Sequence, residues 1–510
     1  MLMLVLGDLR RVVYRSRTWW VAVSSALLAV AACAPASDQE FAPRPDVLLI
    51  FVDDLNTDLQ SFGSQMPVGP NIDRIAERGV TFTRAYAQYP QCNQSRASIL
   101  TGLYPEQISV LSLKDHFRDT TSDVVTLPQH FRSNGYFAAR VGKVFHQGVP
   151  NEIGEDGLDD PLSWDLKINP KGKETLLDSS VNTIVPDGED RPGLGGLLSW
   201  LAVPGSGTDM TDVLVADSAI EIMRRHRVAK PEQPMFLAVG FYRPHTPFIA
   251  PQSFFEDIPR NLIELPVTTP ADRANKPVMA LADRPYQLEM SAELKNDAAQ
   301  AYYAAANFVD EQIGRLLDEL VSQGRLENTV VVFLSDHGYQ LGAHGLWQKG
   351  DLFEGSTRTP LVISAPAISR AGERHSSPVE LVDVYPTIVA LAGLDRPTGP
   401  LSGTRLLGQS GNGVDRNDTA YSVAWSRAGW TRPEFRGREV IGRTIRSSRY
   451  RYTEWGDGPD GIELYDYDAD PEERQNLAGD PDHAAVENRM RSLLRQARTR
   501  AHASLVRERS

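Results

Sequence analysis

At 510 residues, 41% of them hydrophobic and 23% charged, the chain has the composition of an ordinary globular protein with room for a large core. Its 53 Lys and Arg stand against 66 Asp and Glu, a formal net charge of −13. That balance argues against a general nucleic-acid role, and the sequence carries no nucleic-acid motif and no internal repeat; local basic residues could still bind an anionic group.

The first residues read as an address. Arg10, Arg11, Arg15 and Arg17 precede an apolar run from Trp19 to Ala32. The run is short for a membrane span and fits an export signal. It ends Val30-Ala31-Ala32-Cys33, which resembles a bacterial lipoprotein box, in which the cysteine is lipidated and becomes the mature N-terminus. An ordinary signal cleaved near Ala34 or Ala36 is the alternative. The expectation is an exported bacterial protein, periplasmic or at the cell surface. Residues 1–32 would be its signal peptide and 33–45 a Pro-containing tether, with membrane contact only through lipid on Cys33. The chain has 2 cysteines. With lipid on Cys33, Cys92 has no disulfide partner and invites a chemical explanation.

Residues 46–54 (DVLLIFVDD) predict a buried, parallel-type strand ending in Asp53 and Asp54. Ligands gather beyond the carboxyl ends of such strands. Adjacent carboxylates repel each other unless a cation lies between them, and a hard ion such as Ca²⁺ prefers oxygen ligands; a solvated turn is the bland alternative. A short helix over 71–79 and a strand over 80–85 lead to QCNQSRASILTG at 91–102. A helix is expected from Ser95, stopped at Gly102. Cys92, beside the helix N-terminus and Arg96, is a candidate nucleophile or the precursor of one; a buried structural cysteine is the other reading.

A helix over 127–134 and a strand over 136–141 follow, and Gly142 to His146 (GKVFH) places Lys143 and His146 beyond that strand's end. Residues 151–207 are rich in Gly, Pro and Asp and read as surface loops shaping a pocket. An amphipathic helix over 212–227 precedes a buried strand over 234–242, which ends RPHTPF with His245 between two prolines. Residues 252–293 form a second irregular insert, and 296–323 a long helix. A strand over 329–334 runs into Ser335-Asp336-His337-Gly338, followed by a glycine-rich loop reaching Lys349. A strand over 360–364 and a helix over 379–392 complete the first part. From about Leu406 the pattern changes to antiparallel strands over 421–425, 439–446, 449–455 and 463–466, with a terminal helix over 483–502.

Cys-x-(Pro/Ala)-Ser-Arg before a Leu-Thr-Gly-like helix is the motif of type I sulfatases, and residues 92–102 resemble it, with Gln94 where that family has Pro or Ala. The order Asp53-Asp54, Cys92 to Arg96, Lys143 to His146, His245, and Asp336-His337 with Lys349 is similar to that family over nearly the whole mature chain. GKVFH, Pro-His-x-Pro-Phe and Asp-His-Gly followed by Trp-x-Lys resemble iduronate-2-sulfatase-like members. The resemblance implies an α/β, alkaline-phosphatase-like core with a mixed, mostly parallel sheet flanked by helices over 46–405. A smaller C-terminal α+β subdomain with an antiparallel sheet would cover 406–510. It implies that Asp53, Asp54, Asp336 and His337 hold one Ca²⁺, with the modified Cys92 completing the shell. Cys92 would be converted to formylglycine by a formylglycine-generating enzyme, and the aldehyde hydrate would attack sulfur. Arg96 and Lys143 would stabilise charge, His146 would act as the base, and His245 and Lys349 would bind sulfate, one of them protonating the leaving alcohol. The substrate would be a sulfated carbohydrate, a uronate 2-sulfate by resemblance, or another sulfate ester. Two rivals remain: phosphate or phosphonate ester hydrolysis by the same superfamily, and a surface lipoprotein that binds sulfated sugar without turnover.

Overall fold

Strand β1, Asp46–Asp53, is buried at every residue. Leu48, Ile50 and Val52 enter one core and Val47, Leu49 and Phe51 the other, as period-two alternation requires of a strand covered on both faces. The computed structural model describes residues 44–503 except 178–180, 185–193, 283, 367, 369, 408–417 and 429–431. The export signal, Cys33 and most of the tether lie outside the described residues.

The other strands of the central sheet are β2 (Val80–Phe82), β3 (Phe137–Gly142), β4 (Leu166–Ile168), β5 (Met235–Pro244), β6 (Thr329–Ser335), β7 (Leu361–Ser364) and β8 (Glu373–His375). They lie in the order β8-β2-β7-β6-β1-β5-β3-β4. β7 is antiparallel to both its neighbours, and the remaining pairings are parallel. Helices α1 (Pro70–Arg78), α4 (Thr211–Ala229) and α5 (Ala292–Ser322) cover one face. Helices α2 (Cys92–Thr101), α3 (Leu127–Ser133) and α6 (Val384–Leu391) cover the other. The expected stripe on the long helix, Val309, Ile313, Leu316, Leu317 and Leu320, is core. The mixed, mostly parallel α/β architecture is the one the sequence predicts.

Register sets the working edge. Val52 pairs with Ser335, Asp53 with Pro244, and Gly142 with Gly240. The carboxyl ends of β1, β3, β5 and β6 therefore finish side by side.

Strands Thr419–Trp425, Ile441–Ser447, Tyr450–Trp455 and Gly461–Asp466 form an antiparallel sheet in sequence order. Helix α7, Ala484–Ala501, buries Met490, Leu494 and Ala497 in the same core as that sheet. The sheet's first strand docks against the loop before Cys92: Val423 N–H donates to the Gln88 carbonyl (2.9 Å) and the Ser422 hydroxyl to the Ala87 carbonyl (2.6 Å).

Several boundaries differ from expectation. Helix α2 starts at Cys92 rather than Ser95, because Gln91 is extended and its carbonyl accepts the Ser95 N–H at 3.1 Å. The 80–85 strand divides, and Ala85–Tyr86 joins a separate three-stranded sheet with Arg358–Thr359 and Val379–Glu380. That pairing shortens the 379–392 helix: its first residues are strand, Leu381–Asp383 is a 3-10 turn, and α6 starts at Val384. The first insert is not all loop. It supplies edge strand β4 and Ser199–Val203, which pairs in parallel with Phe248–Pro251. Leu166 and Lys167 of β4 are exposed, so no burial period marked that strand.

Candidate active site

The two carboxylates after β1 separate because Asp54 adopts a left-handed backbone (φ 67°). Its carbonyl accepts from the Tyr302 hydroxyl at 2.8 Å, and that oxygen accepts from the Asn56 N–H at 2.7 Å. Across this turn Asp53 engages Arg96 and Lys143, while Asp54 lies 3.9 Å from the Cys92 sulfur.

Arg96 is fully buried and ties two strand ends together. Its Nε donates to Asp336 Oδ2 (2.8 Å) and one Nη to Asp53 Oδ1 (3.2 Å), while the other Nη donates to the Lys143 carbonyl. His337 Nε2 stands 3.4 Å from the Cys92 sulfur, 3.4 Å from Asp54 Oδ1 and 3.6 Å from Asp336 Oδ1. Lys349 Nζ contacts the Asp54 carboxylate and lies 3.2 Å from the same sulfur. His245 Nε2 is 3.9 Å from Asp54 Oδ2, and His146 lines the same cavity as Cys92. The structure thus brings all ten sequence-predicted site residues to one place: Asp53, Asp54, Cys92, Arg96, Lys143, His146, His245, Asp336, His337 and Lys349.

Ligand atoms of Asp53, Asp54, Cys92 and His245 lie within 4.8 Å of one another, and so do those of Asp53, Cys92, Asp336 and His337. Three buried carboxylates and an imidazole, offering mainly oxygen donors, fit a hard divalent cation, which would offset the cost of burying like charges together.

The electrostatics favour anions at position 92. Burial pushes the Cys92 thiol up, but Lys349, Lys143 and His337 outweigh it and hold it well below the usual thiol range. Burial and Cys92 raise Asp53, yet Lys143, His245 and Arg96 bring it down overall. Burial lifts Asp336 against Arg96 and His337. Burial also opposes the charge on His337, but Asp336 carries that imidazole up to about 9. His146 goes the other way: burial lowers it, so it is neutral near pH 7 and able to accept a proton.

Comparison with known proteins agrees with this geometry. The family model described as Sulfatase matches residues 45–394. The chain belongs to the sulfatase family. Residues 342–500 match the model described as N-sulphoglucosamine sulphohydrolase, C-terminal. A sulfatase of Formosa agariphila is 31% identical over 458 residues, spanning 86% of this chain and 84% of its own length. The Homo sapiens iduronate 2-sulfatase is 30% identical over 514 residues, spanning 85% of this chain and 91% of its own. Among solved structures, the phosphonate monoester hydrolase of Agrobacterium radiobacter superposes with a TM-score of 0.71 at 25% identity, covering 90% of this chain and 96% of that one. These relationships make the protein a sulfuric ester hydrolase with an alkaline-phosphatase-like core.

Sequence reasoning missed the side chains that hold the sulfatase's turns. The Ser335 hydroxyl accepts from the Leu55 N–H (3.0 Å) and donates to the His337 carbonyl (2.9 Å), and the Ser95 hydroxyl donates to the Asp336 carbonyl. Tyr302 acts from the middle of α5, where only the third dimension links it to Asp54. The cluster around Cys92 lines a cavity of about 310 Å³ whose wall also includes Leu113, Asn151, Gly196, Arg284 and Arg427. Both irregular inserts contribute to that wall. No motif announced either arginine.

Proposed function

We propose that this sulfatase cleaves a sulfate monoester of a sugar, in the manner of an iduronate 2-sulfatase, using one Ca²⁺ and a formylglycine made from Cys92. The observation that carries the reading is the convergence of Asp53, Asp54, Asp336 and His337 on Cys92, ringed by Lys143, His146, His245 and Lys349. Held by those three carboxylates and His337, the cation would polarise the sulfate oxygens. The chain's own residues do the rest. Position 92 sits at a helix N-terminus, where partial positive charge favours an oxyanion. Lys143 and Arg96 oppose the negative charge that builds there. Neutral His146 takes the proton that must leave position 92 as sulfate is expelled. His245 and Lys349 hold the sulfate group, and one of them supplies the proton to the departing alcohol.

Two measurements test this. Mass spectrometry of the Cys92 peptide from the native host should show an aldehyde, and assays on sulfated sugars and aryl sulfates should show turnover that a Ca²⁺ chelator removes. A thiol in every preparation, with no turnover, would favour a binding protein instead. The phosphonate monoester hydrolase likeness motivates a second reading, because a phosphonate ester presents a similar tetrahedral anion. A kcat/KM on an aryl phosphonate above that on every sulfate ester would establish it. We propose further that the mature protein begins at lipidated Cys33, and that a smaller C-terminal subdomain, sharing a core with the catalytic part, begins near residue 406. Cys33→Ala should abolish fatty-acid labelling and release the protein from membranes; unchanged labelling would remove the anchor from the account.

A further inference from the structure

Strand β5 carries His245 just beyond its end, where the sheet gives little support. Val52 of β1 pairs with Phe241 and Asp53 with Pro244, so β1 passes over Tyr242 and Arg243. On the other side β3 finishes at Gly142, opposite Gly240. One side chain takes both amides instead. Asp212, in the first turn of α4 and 2% exposed, accepts the Tyr242 N–H on Oδ1 (2.8 Å) and the Arg243 N–H on Oδ2 (3.2 Å). A buried carboxylate is costly unless donors and positive charge meet it. Here the two amides, Arg243 and the positive end of a 19-residue helix do so.

Two groups of the reacting cluster hang from this clamp. The His245 N–H donates to the Tyr242 carbonyl (3.1 Å), and the His245 carbonyl accepts from an Arg243 Nη (3.4 Å). His245 Nδ1 bonds the Thr246 carbonyl at 2.7 Å, which leaves Nε2 to face Asp54. On the other branch, the Tyr242 hydroxyl donates to Gln147 Oε1 at 2.5 Å, and Gln147 directly follows His146. Gln147 Nε2 donates in turn to the Glu155 carbonyl at 2.8 Å, so the residue beside His146 is held from two directions. Asp212 itself lies outside the cavity wall.

We propose that Asp212 is a positioning residue of the sulfatase: its carboxylate fixes the end of β5, and with it the direction of His245 and, through Tyr242 and Gln147, of His146. The role presupposes the hydrolysis proposed above, in which His146 moves a proton and His245 holds sulfate. Misplacing such groups by an ångström costs up to about a hundredfold in rate. The clamp also has a working pH range. Burial lifts the Asp212 carboxyl to about 6 against the pull of Arg243, and Glu174, which accepts the Thr211 N–H at 2.9 Å, adds to the rise. Arg243 and Tyr242 from the strand end and Glu174 from the first insert are the charged and titratable groups that face it. Protonation turns one acceptor oxygen into a hydroxyl, and one of the two amides loses its partner.

The test compares Asp212→Asn with the unaltered enzyme on an aryl sulfate. At about pH 8 the variant should lose ten- to a hundredfold in kcat/KM. In the unaltered enzyme kcat/KM should fall as pH drops through about 6, and that limb should be flatter in the variant. A carboxylate with a merely architectural role would lower the melting temperature and leave the shape of the pH profile unmoved. Histidine-selective NMR gives a readout that needs no turnover. The imidazole signals of His146 and His245, assigned through His146→Gln and His245→Gln, should be displaced in Asp212→Asn. Unmoved signals or an unchanged pH profile overturns the positioning role. If no sulfate ester is turned over, the hydrolase reading fails by itself; displaced signals still uphold the clamp, and unmoved ones still refute it. Should Asp212→Asn not fold, Tyr242→Phe, which keeps both amide contacts, takes its place. The His146 signals should then move and kcat/KM should fall severalfold, and the failure of either refutes the link.

Discussion

Arg96 keeps its charge in a fully buried position because Asp53 and Asp336 face it from two different strands. Removing one partner of such a network strands the others, at a cost of about 3–5 kcal/mol. Arg96→Ala is therefore expected to lower stability by that order as well as activity, and a denaturant titration with an unchanged midpoint would contradict it. His146 makes a cleaner functional probe. Its imidazole is neutral through burial and lines the same cavity as position 92. His146→Ala should lower kcat/KM by about 10²- to 10⁴-fold, the range of a lost general base, with little change in melting temperature. A loss of less than tenfold would move the proton-transfer task to another residue.

At the scale of elements, α2 decides where position 92 sits. The helix ends at Gly102, whose φ of 68° is left-handed and whose Cβ would lie 2.6 Å from Leu401 Cδ2. Gly102→Ala should cost about 1–2 kcal/mol for the backbone alone and more for the crowding. Equal denaturation midpoints for the two proteins would show that the helix end can relax. Helix α3 carries a pH dependence. His130 Nε2 bonds the Asp395 carbonyl at 2.9 Å, and burial holds the imidazole below its ordinary 6.5. The unfolded chain takes up that proton first as pH falls. The stability this residue contributes is complete above 6.5 and is lost as pH drops through the folded value. The melting temperature should fall as pH drops below 6.5, and the fall should be smaller in His130→Gln. Identical slopes in both proteins would remove His130 as a cause.

Over the whole molecule, the change of pattern near Leu406 is not an energetic boundary. Tyr89, Tyr104 and Val382 share one core with Tyr421, Val423, Ile445 and Trp455. Arg446 Nε reaches Glu354 Oε2 at 3.1 Å, and Arg427 holds the carbonyl of Lys349. A chain ending at residue 405 is expected to be insoluble or inactive, because it exposes that core and frees the Lys349 loop. A soluble fragment with undiminished kcat/KM would show that the catalytic part folds alone. The strands and helices of the sheet were largely legible, since burial on both faces or along one stripe leaves a local period. Less legible were β4, whose Leu166 and Lys167 face solvent, and the strand start at Val379, which depends on pairing with Ala85.

The sequence by itself determined which chemical groups leave strand ends and helix starts, because an apolar run followed by Asp53-Asp54, Ser335-Asp336-His337 or Gly142-Lys143 is a local pattern. Only the tertiary structure decided that these ends meet, through a register that sets Val52 beside Ser335 and Asp53 beside Pro244. It alone placed Tyr302 under Asp54 and set Arg284 and Arg427 on one wall. Those contacts join residues hundreds of positions apart or rise from irregular segments, where no periodicity exists to record them.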